Sequence, residues 1–255
     1  MVTRRQFLFG CASTLTALSG ASFVSEYKKI NNGIPILLYH RVGYQSDNYT
    51  VSPARFEEDM RTLSRDGYTC LSLDQVKQHL KGDLAAPLPD KSMLISLDDG
   101  YLDNYTNVFP ILQQYNMKAS FYIITGMIGE SDRLTASQIR EMQAAGMDFG
   151  SHTVTHRFLG ELTPAEMKSE LSNSKNALEQ LLGTAVDFVA YPGGSYNAET
   201  LKVTKEIGYT AGFSTHYGYE RFNSPFEMKR IPVFHYDRSI HYVMFRKGLL
   251  PVLFQ

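Results

Sequence analysis

The sequence has no tryptophan, only two cysteines among its 255 residues, and a net charge of only −1. Scarce cysteine excludes a disulfide-stapled scaffold, because such chains need several bridges to replace a missing core. The 25 basic residues are balanced by 26 acidic ones without any basic run, so no nucleic acid partner is expected. With 43% hydrophobic residues, the chain has globular composition, and its length suits a single domain.

The first 21 residues resemble an export signal. The pair Arg4-Arg5 precedes an apolar stretch, Phe7 to Leu18, which is followed by small residues up to Ala21. A paired arginine followed by Phe-Leu resembles the twin-arginine signal, which carries folded proteins across the bacterial inner membrane. A plain secretion signal or a retained anchor is the alternative, although the stretch is short for a span of about 20 residues. We predict a signal over residues 1–21 and a mature domain over residues 22–255.

Export determines the expected location and the expected cysteine chemistry. The mature protein would be periplasmic, extracellular or at the cell surface, with the membrane involved only through the export signal. Removal of the signal would leave Cys70 as the one thiol, which cannot form an internal disulfide. Because Cys70 lies in the strand-like run 68–73, we predict a buried structural cysteine and not a nucleophile.

From Ile34 onward, short apolar runs alternate with longer segments of helical period, which is a β/α layout. The predicted strands are 34–39, 93–97, 119–124, 147–150, 186–190, 210–214 and 231–234. The predicted helices are 53–66, 103–115, 135–145, 163–182 and 198–207. Seven or eight such units predict an α/β fold, a closed (β/α) barrel of about seven strands, with a doubly wound open sheet as the alternative. In both folds the chemistry lies at the carboxyl ends of the strands.

Two adjacent carboxylates, Asp98 and Asp99, follow the strand 93–97 and precede Gly100. Neighbouring acids at a strand end repel each other unless a cation or a proton absorbs the charge. An N-cap followed by a solvated Asp-Gly turn would produce the same pattern. The pair is therefore a candidate site, and the groups that lie beside it in the fold decide between a cation site and a solvated turn.

A His-x-x-x-His pair, His152 and His156, comes directly after the strand 147–150. Two imidazoles at this spacing can bind one metal ion, and hydrolytic metalloenzymes combine them with a carboxylate and open coordination positions. Asp98 or Asp99 would supply the carboxylate, because the carboxyl ends of parallel strands meet on one rim. A hydrogen-bonded core histidine plus a surface histidine is the alternative interpretation.

Two further strand ends carry candidate groups. The run 190–197 turns through Gly193 and Gly194, where a backbone can approach a ligand closely and an N–H can hold an oxyanion. An ordinary loop would have the same composition. His40 follows the first strand, so it is expected on the same rim, although a lone histidine is usually structural.

Together and in this order, these motifs resemble those of the polysaccharide deacetylase family, carbohydrate esterase family 4, over roughly residues 34 to 233. The resemblance implies a distorted (β/α) barrel that hydrolyses the acetamide of N-acetylglucosamine-containing polymers with a divalent metal ion. It implies that Asp98 is the catalytic base and that Asp99 binds the metal beside His152 and His156. It also implies that the backbone N–H of Gly193 is an oxyanion donor.

Two departures from the family pattern affect the expected roles. The family's arginine before its proline is replaced by Ala190-Tyr191, and Arg230 is the candidate substitute that would orient the base. The late Leu-x-Leu-x-His motif that supplies the family's acid is not evident. The run 38–42 resembles instead the branch that includes deacetylases of poly-β-1,6-N-acetylglucosamine, whose acid lies in an N-terminal Tyr-His motif. We therefore predict His40 as the acid, with His235 as its competitor.

The resemblance thus predicts a metal-dependent N-deacetylase that acts on an N-acetylated polysaccharide or oligosaccharide outside the cytoplasm. Zinc is the default ion because imidazole and carboxylate ligands suit it, and cobalt, nickel, manganese and iron fit the same ligands. One alternative is a deacylase that acts on peptidoglycan, chitin oligomers or another N-acyl compound. The other is an inactive glycan-binding barrel.

Overall fold

A parallel β-sheet curled into a half-barrel forms the framework of the protein. The computed structural model describes residues 33–82 and 88–253. The strands within these residues are β1 (Ile36–Tyr39), β2 (Arg41–Val42), β3 (Thr50–Val51), β4 (Thr69–Cys70), β5 (Ser92–Asp99), β6 (Ser120–Ile123), β7 (Asp148–Ser151), β8 (Phe188–Ala190), β9 (Ala211–Phe213) and β10 (Ile231–Pro232). The export signal predicted for residues 1–21 lies outside the described residues and stays a prediction.

The strand order follows the chain around the sheet, β10-β1-β5-β6-β7-β8-β9, with β4 paired to β5 at one side. Strand β10 pairs with β1, and the backbone of Met228 bonds to Gly212 and Ser214 at the other end of the sheet. The segment 228–232 therefore connects the two ends. A doubly wound sheet would reverse its strand order at a switch point. The predicted distorted barrel is confirmed, and the open sheet is excluded.

The helices follow the strands, and several begin at a side-chain cap. They are α1 (Pro53–Arg65), α2 (Leu73–Leu80), α3 (Phe109–Gln114), α4 (Ala136–Ala144), α5 (Pro164–Leu182), α6 (Ala198–Glu206), α7 (Ile240–Val243) and α8 (Leu250–Leu253). Ser52, Thr135 and Thr163 accept first-turn N–H groups of α1, α4 and α5, as expected for helix N-caps. Within the described residues, every helix falls short of the length or hydrophobicity that crossing a bilayer requires.

The structure has helices that the sequence prediction lacked, α2 and the C-terminal α7 and α8, and one predicted helix has a different form. The segment predicted over 103–115 starts as a π-helix, Asn104–Val108, in which the N–H of Phe109 donates to the Asn104 carbonyl. Pro110 favours this local widening, because it has no N–H for an α-helical bond. Helix α2 was not predicted, because the apolar run 68–73 indicates a strand; the capping box of Ser72 and Gln75 starts a helix there instead.

Cys70 is a free thiol in β4, partly buried, and burial raises its pKa to about 11. A thiol in an unfolded chain has a pKa of about 8.5, and the thiolate is the reactive form. At pH 8 we therefore expect Cys70 in a Cys11→Ser variant to react with a thiol reagent on the order of a hundredfold more slowly in the native than in the urea-unfolded protein. Equal rates would contradict the structural role.

Candidate metal centre and active site

The polar strand ends that the sequence indicated meet at one rim of the half-barrel. Strand register pairs Asp99 of β5 with Ile123 of β6, and Ile123 with Ser151 of β7. Ser151 is therefore aligned with Asp99 across the sheet, and His152 lies one residue further toward the carboxyl end. Parallel pairing alone brings the carboxylate motif and the histidine motif together, although more than fifty residues separate them in the chain.

Asp99, His152 and His156 place one ligand atom each within 4.8 Å of one another. The Oδ1 atom of Asp99 lies 3.4 Å from Nε2 of His152 and 3.4 Å from Nε2 of His156. Ligand atoms about 2.1 Å from a tetrahedral zinc ion are themselves about 3.4 Å apart. Asp99 Oδ1 is buried and has no hydrogen-bond donor among the described residues, so this donor set fits a divalent cation.

The orientation of His152 is determined by its other ring nitrogen. Nδ1 lies 2.7 Å from the carbonyl oxygen of Ala190, and because a carbonyl only accepts, Nδ1 carries the proton. In the neutral ring the lone pair is then on Nε2, the nitrogen that faces Asp99, as a metal-binding imidazole requires. Burial raises the pKa of Asp99, but the histidines beside it outweigh burial and hold the pKa below its usual range. The carboxylate is therefore ionised.

Three non-glycine residues at the site have left-handed backbone conformations. Asp99 has a φ of 75°, Thr153 of 66° and His156 of 62°. Such angles are uncommon outside glycine and persist where the surrounding structure enforces them. Asp99 and His156 are two of the three candidate ligands, so the backbone is bent at the residues that carry them.

Glu170 of α5 enforces the bend between the two histidines. Its carboxylate accepts the N–H groups of Val154 and Thr155 at 2.9 Å each, and the Thr155 hydroxyl at 2.5 Å. Sequence reasoning missed Glu170, because a glutamate on an amphipathic helix is typical of a solvated face. Burial of a carboxylate on that helix is visible only in the tertiary structure.

Arg230 lies fully buried against Asp98. Its Nη1 and Nη2 atoms donate to Oδ1 and Oδ2 of Asp98, both at 2.7 Å, and its Nε donates to the Ser214 carbonyl at 2.9 Å. Burial raises the pKa of Asp98, but the guanidinium outweighs burial and lowers the pKa below its usual value. Asp98 is therefore an ionised carboxylate 3.9 Å from His152 Nε2.

The two candidate acids have different surroundings. His40 is partly buried, its carbonyl accepts from Asn104 Nδ2 at 3.0 Å, and its Nδ1 has no partner among the described residues. Burial lowers the pKa of His40, while the charges of Asp98 and Asp99 oppose that shift. His235 is exposed, and its ring packs on the next residue. The structure thus groups His40 with the carboxylates.

The turn after β8 brings Gly193 to the same rim, with a φ of 60°. A Cβ atom at this position would lie 2.7 Å from the ring of Phe158, which follows His156 on the neighbouring loop. Only glycine avoids both the backbone strain and this contact. The expected role of the Gly193 N–H as an oxyanion donor stays a prediction.

Comparison with known proteins returns polysaccharide deacetylases. A family model described as polysaccharide deacetylase matches residues 85–212. The Bacillus subtilis protein YxkH, named within that family, is 36% identical over 185 residues, which cover 72% of this chain and 65% of YxkH. A poly-β-1,6-N-acetyl-D-glucosamine N-deacetylase of Staphylococcus aureus is 29% identical over 181 residues, which cover 66% of this chain and 61% of that protein. The chain thus spans less than two thirds of these relatives.

A solved structure has a similar fold. The Streptococcus pyogenes deacetylase PplD, determined in complex with acetate, matches with a TM-score of 0.79 and 30% sequence identity. The match covers 85% of this chain and 98% of PplD. The half-barrel described above is therefore the fold of a known deacetylase.

Proposed function

The chain belongs to the polysaccharide deacetylase family, and from this we propose that it is a metal-dependent N-deacetylase of N-acetylglucosamine units in an extracytoplasmic polysaccharide. The observation that carries the proposal is the convergence of Asp99, His152 and His156 beside the Arg230-paired Asp98. The Staphylococcus aureus relative, by its name, acts on a β-1,6-linked polymer, which supports that polymer as the first substrate to test. The twin-arginine-like motif supports export.

Three side chains would hold the metal ion: Asp99 through Oδ1, and His152 and His156 through Nε2. Zinc is the first choice for one carboxylate and two imidazoles, with cobalt, nickel, manganese and iron as alternatives. When bound, such an ion supplies Lewis acidity and lowers the pKa of a water molecule from 15.7 to about 7. The charge of Asp99 and the fixed tautomer of His152 suit this purpose.

Asp98 would act as the general base. Arg230 keeps it ionised and fixes its orientation through two parallel hydrogen bonds. Each carboxylate oxygen has a second lone pair, so Asp98 can still accept the proton of an attacking water. Arg230 then takes the place of the family arginine that is missing before Pro192.

His40 would act as the general acid, donating a proton to the departing amine as the acetamide C–N bond breaks. The Gly193 N–H would donate to the oxyanion of the tetrahedral species, a type of contact worth about 2.7–4 kcal/mol. The products are acetate and a glucosamine unit of the polymer. An inactive glycan-binding barrel would not require a buried base, its guanidinium partner and three converging metal ligands.

The proposal predicts that the purified protein releases acetate from a β-1,6-linked N-acetylglucosamine pentamer. Chelation should abolish the release, and a divalent ion should restore it, because two of the three candidate ligands, Asp99 and His156, are only partly buried. Acetate assays combined with metal analysis measure both. Full activity in protein shown to hold no metal would contradict metal dependence, and absence of acetate release from metal-loaded protein would contradict the deacetylase proposal.

His40→Ala should lower kcat by about 10²–10⁴-fold, the usual contribution of general acid catalysis, while metal content stays at the wild-type level. His235→Ala is the matched control and should keep wild-type kcat. The opposite pattern, with activity lost in His235→Ala and kept in His40→Ala, would assign the acid to His235.

A further inference from the structure

A continuous series of aromatic rings leads from His40 to the outer rim. The ring centroid of Tyr49 lies 5.0 Å from that of His40, and Phe234 lies 5.7 Å from Tyr49. Tyr236 stacks on Phe234 at 5.4 Å. We name Tyr49, Phe234 and Tyr236 the aromatic platform.

The two tyrosines of the platform are exposed, 52% for Tyr49 and 57% for Tyr236. In contrast, Tyr39, Tyr122 and Tyr191 are fully buried. Exposed aromatic side chains that adjoin one another next to a candidate site are typical of a binding surface. The platform therefore leaves two large aromatic side chains accessible to a ligand near the candidate acid.

Backbone contacts attach the platform to the site. The N–H of Val233 donates to the Leu38 carbonyl, extending the β1–β10 pairing toward the rim. The N–H of His235 donates to the Asn48 carbonyl, so the loop that carries Tyr236 is bonded to the loop that carries Tyr49. These hydrogen bonds connect both loops to the strand that ends beside His40.

A buried ion pair beneath the platform holds the turn 234–237. Lys247 donates to Asp237 Oδ2 at 2.5 Å and to the Pro232 carbonyl at 2.8 Å, and its Nζ lies 4.3 Å from the centroid of Phe234. Asp237 Oδ2 also accepts the N–H of Phe234 at 2.8 Å. Both charged residues are buried. A platform held in this way loses little conformational entropy when a ligand binds.

We propose that the aromatic platform is a sugar-binding subsite, in which Tyr49 packs against the pyranose unit adjacent to the one whose acetamide is hydrolysed and Tyr236 stacks against the unit beyond it. The proposal rests on the proposed function and specifies its substrate as a chain of several units. The C–H faces of a pyranose suit the negative face of an aromatic ring, and the phenolic hydroxyls can bond to sugar hydroxyls. Contact between Tyr49 and His40 places the subsite directly next to the reacting unit.

The test compares the methyl glycoside of N-acetylglucosamine with a β-1,6-linked pentamer. Tyr236→Ala should lower kcat/KM for the pentamer on the order of tenfold, through KM, and leave kcat/KM for the monosaccharide within about twofold. Tyr236→Phe keeps the ring and should retain most of the pentamer preference. Tyr242→Ala removes an exposed tyrosine of α7 outside the platform and should behave as wild type. Tyr236 is the preferred position for substitution because the rings of Tyr49 and Phe234 lie between its ring and His40.

Calorimetric titration of the metal-loaded protein with the deacetylated pentamer separates this inference from the proposed function. Weaker binding in Tyr236→Ala, restored in Tyr236→Phe, supports the subsite even if no acetate is released. Wild-type acetate release together with equal pentamer binding and equal kcat/KM in Tyr236→Ala would overturn the subsite and leave the deacetylase proposal standing.

Discussion

Asp99→Asn is expected to lose both metal binding and acetate release, with metal affinity reduced by more than about a hundredfold. The substitution removes the charge that faces two imidazole nitrogens at 3.4 Å each. Asparagine is chosen because it tolerates the left-handed backbone of this position better than alanine does. Metal analysis and acetate assays on the same preparation measure the two losses.

Asp132→Asn is the matched control for that experiment. Asp132 is a half-exposed rim carboxylate that pairs with Arg41, and exposed ion pairs contribute only about 0–1 kcal/mol. We expect wild-type metal content and activity in this variant. Full metal content and activity in Asp99→Asn would mean that the three groups do not bind an ion and would remove the main support for the hydrolase mechanism.

Arg230→Met should abolish acetate release and lower the free energy of unfolding by about 3–5 kcal/mol, because it leaves the Asp98 carboxylate buried without its counter-charge. Chemical denaturation and kcat measurements test the two effects separately.

The double variant Arg230→Met/Asp98→Leu distinguishes a structural from a catalytic contribution. Replacing both charges by apolar groups removes the unpaired buried charge, so stability should return toward the wild-type value. Activity should stay lost, because the proposed base is gone. Arg230→Met with wild-type stability and kcat would contradict the role proposed for the pair.

Much of the fold could be predicted from local patterns. The helix boundaries at Ser52 and Thr163 followed from a side-chain cap and a proline in the first turn. The strands followed from apolar runs that are too short for helices. The π-helix at Asn104–Val108 was not predicted, because its sequence fits an ordinary α-helix equally well. Helix α2 was not predicted, because it begins within an apolar run that fits a strand.

The candidate site was predictable to a different extent at each residue. Asp99 and His152 could be associated because parallel strands align their carboxyl ends, and the structure brings their ligand atoms together. Arg230 was a candidate only because an expected arginine was missing elsewhere. Glu170 and Tyr236 were not predicted, since burial of the first and exposure of the second depend on packing between distant segments.

The order of residues along the chain was enough to predict most of the alternating strands and helices and the identity of the groups at the strand ends, and it left a barrel and a doubly wound open sheet as the two candidate folds. Those properties depend on local period and on the direction of parallel strands, which a single sequence contains. Only the tertiary structure decided that Arg230 faces Asp98, that Glu170 bends the histidine loop, and that Tyr236 stacks on Phe234. Each of these contacts joins segments whose distance and orientation result from the closure of the sheet, which no local pattern specifies.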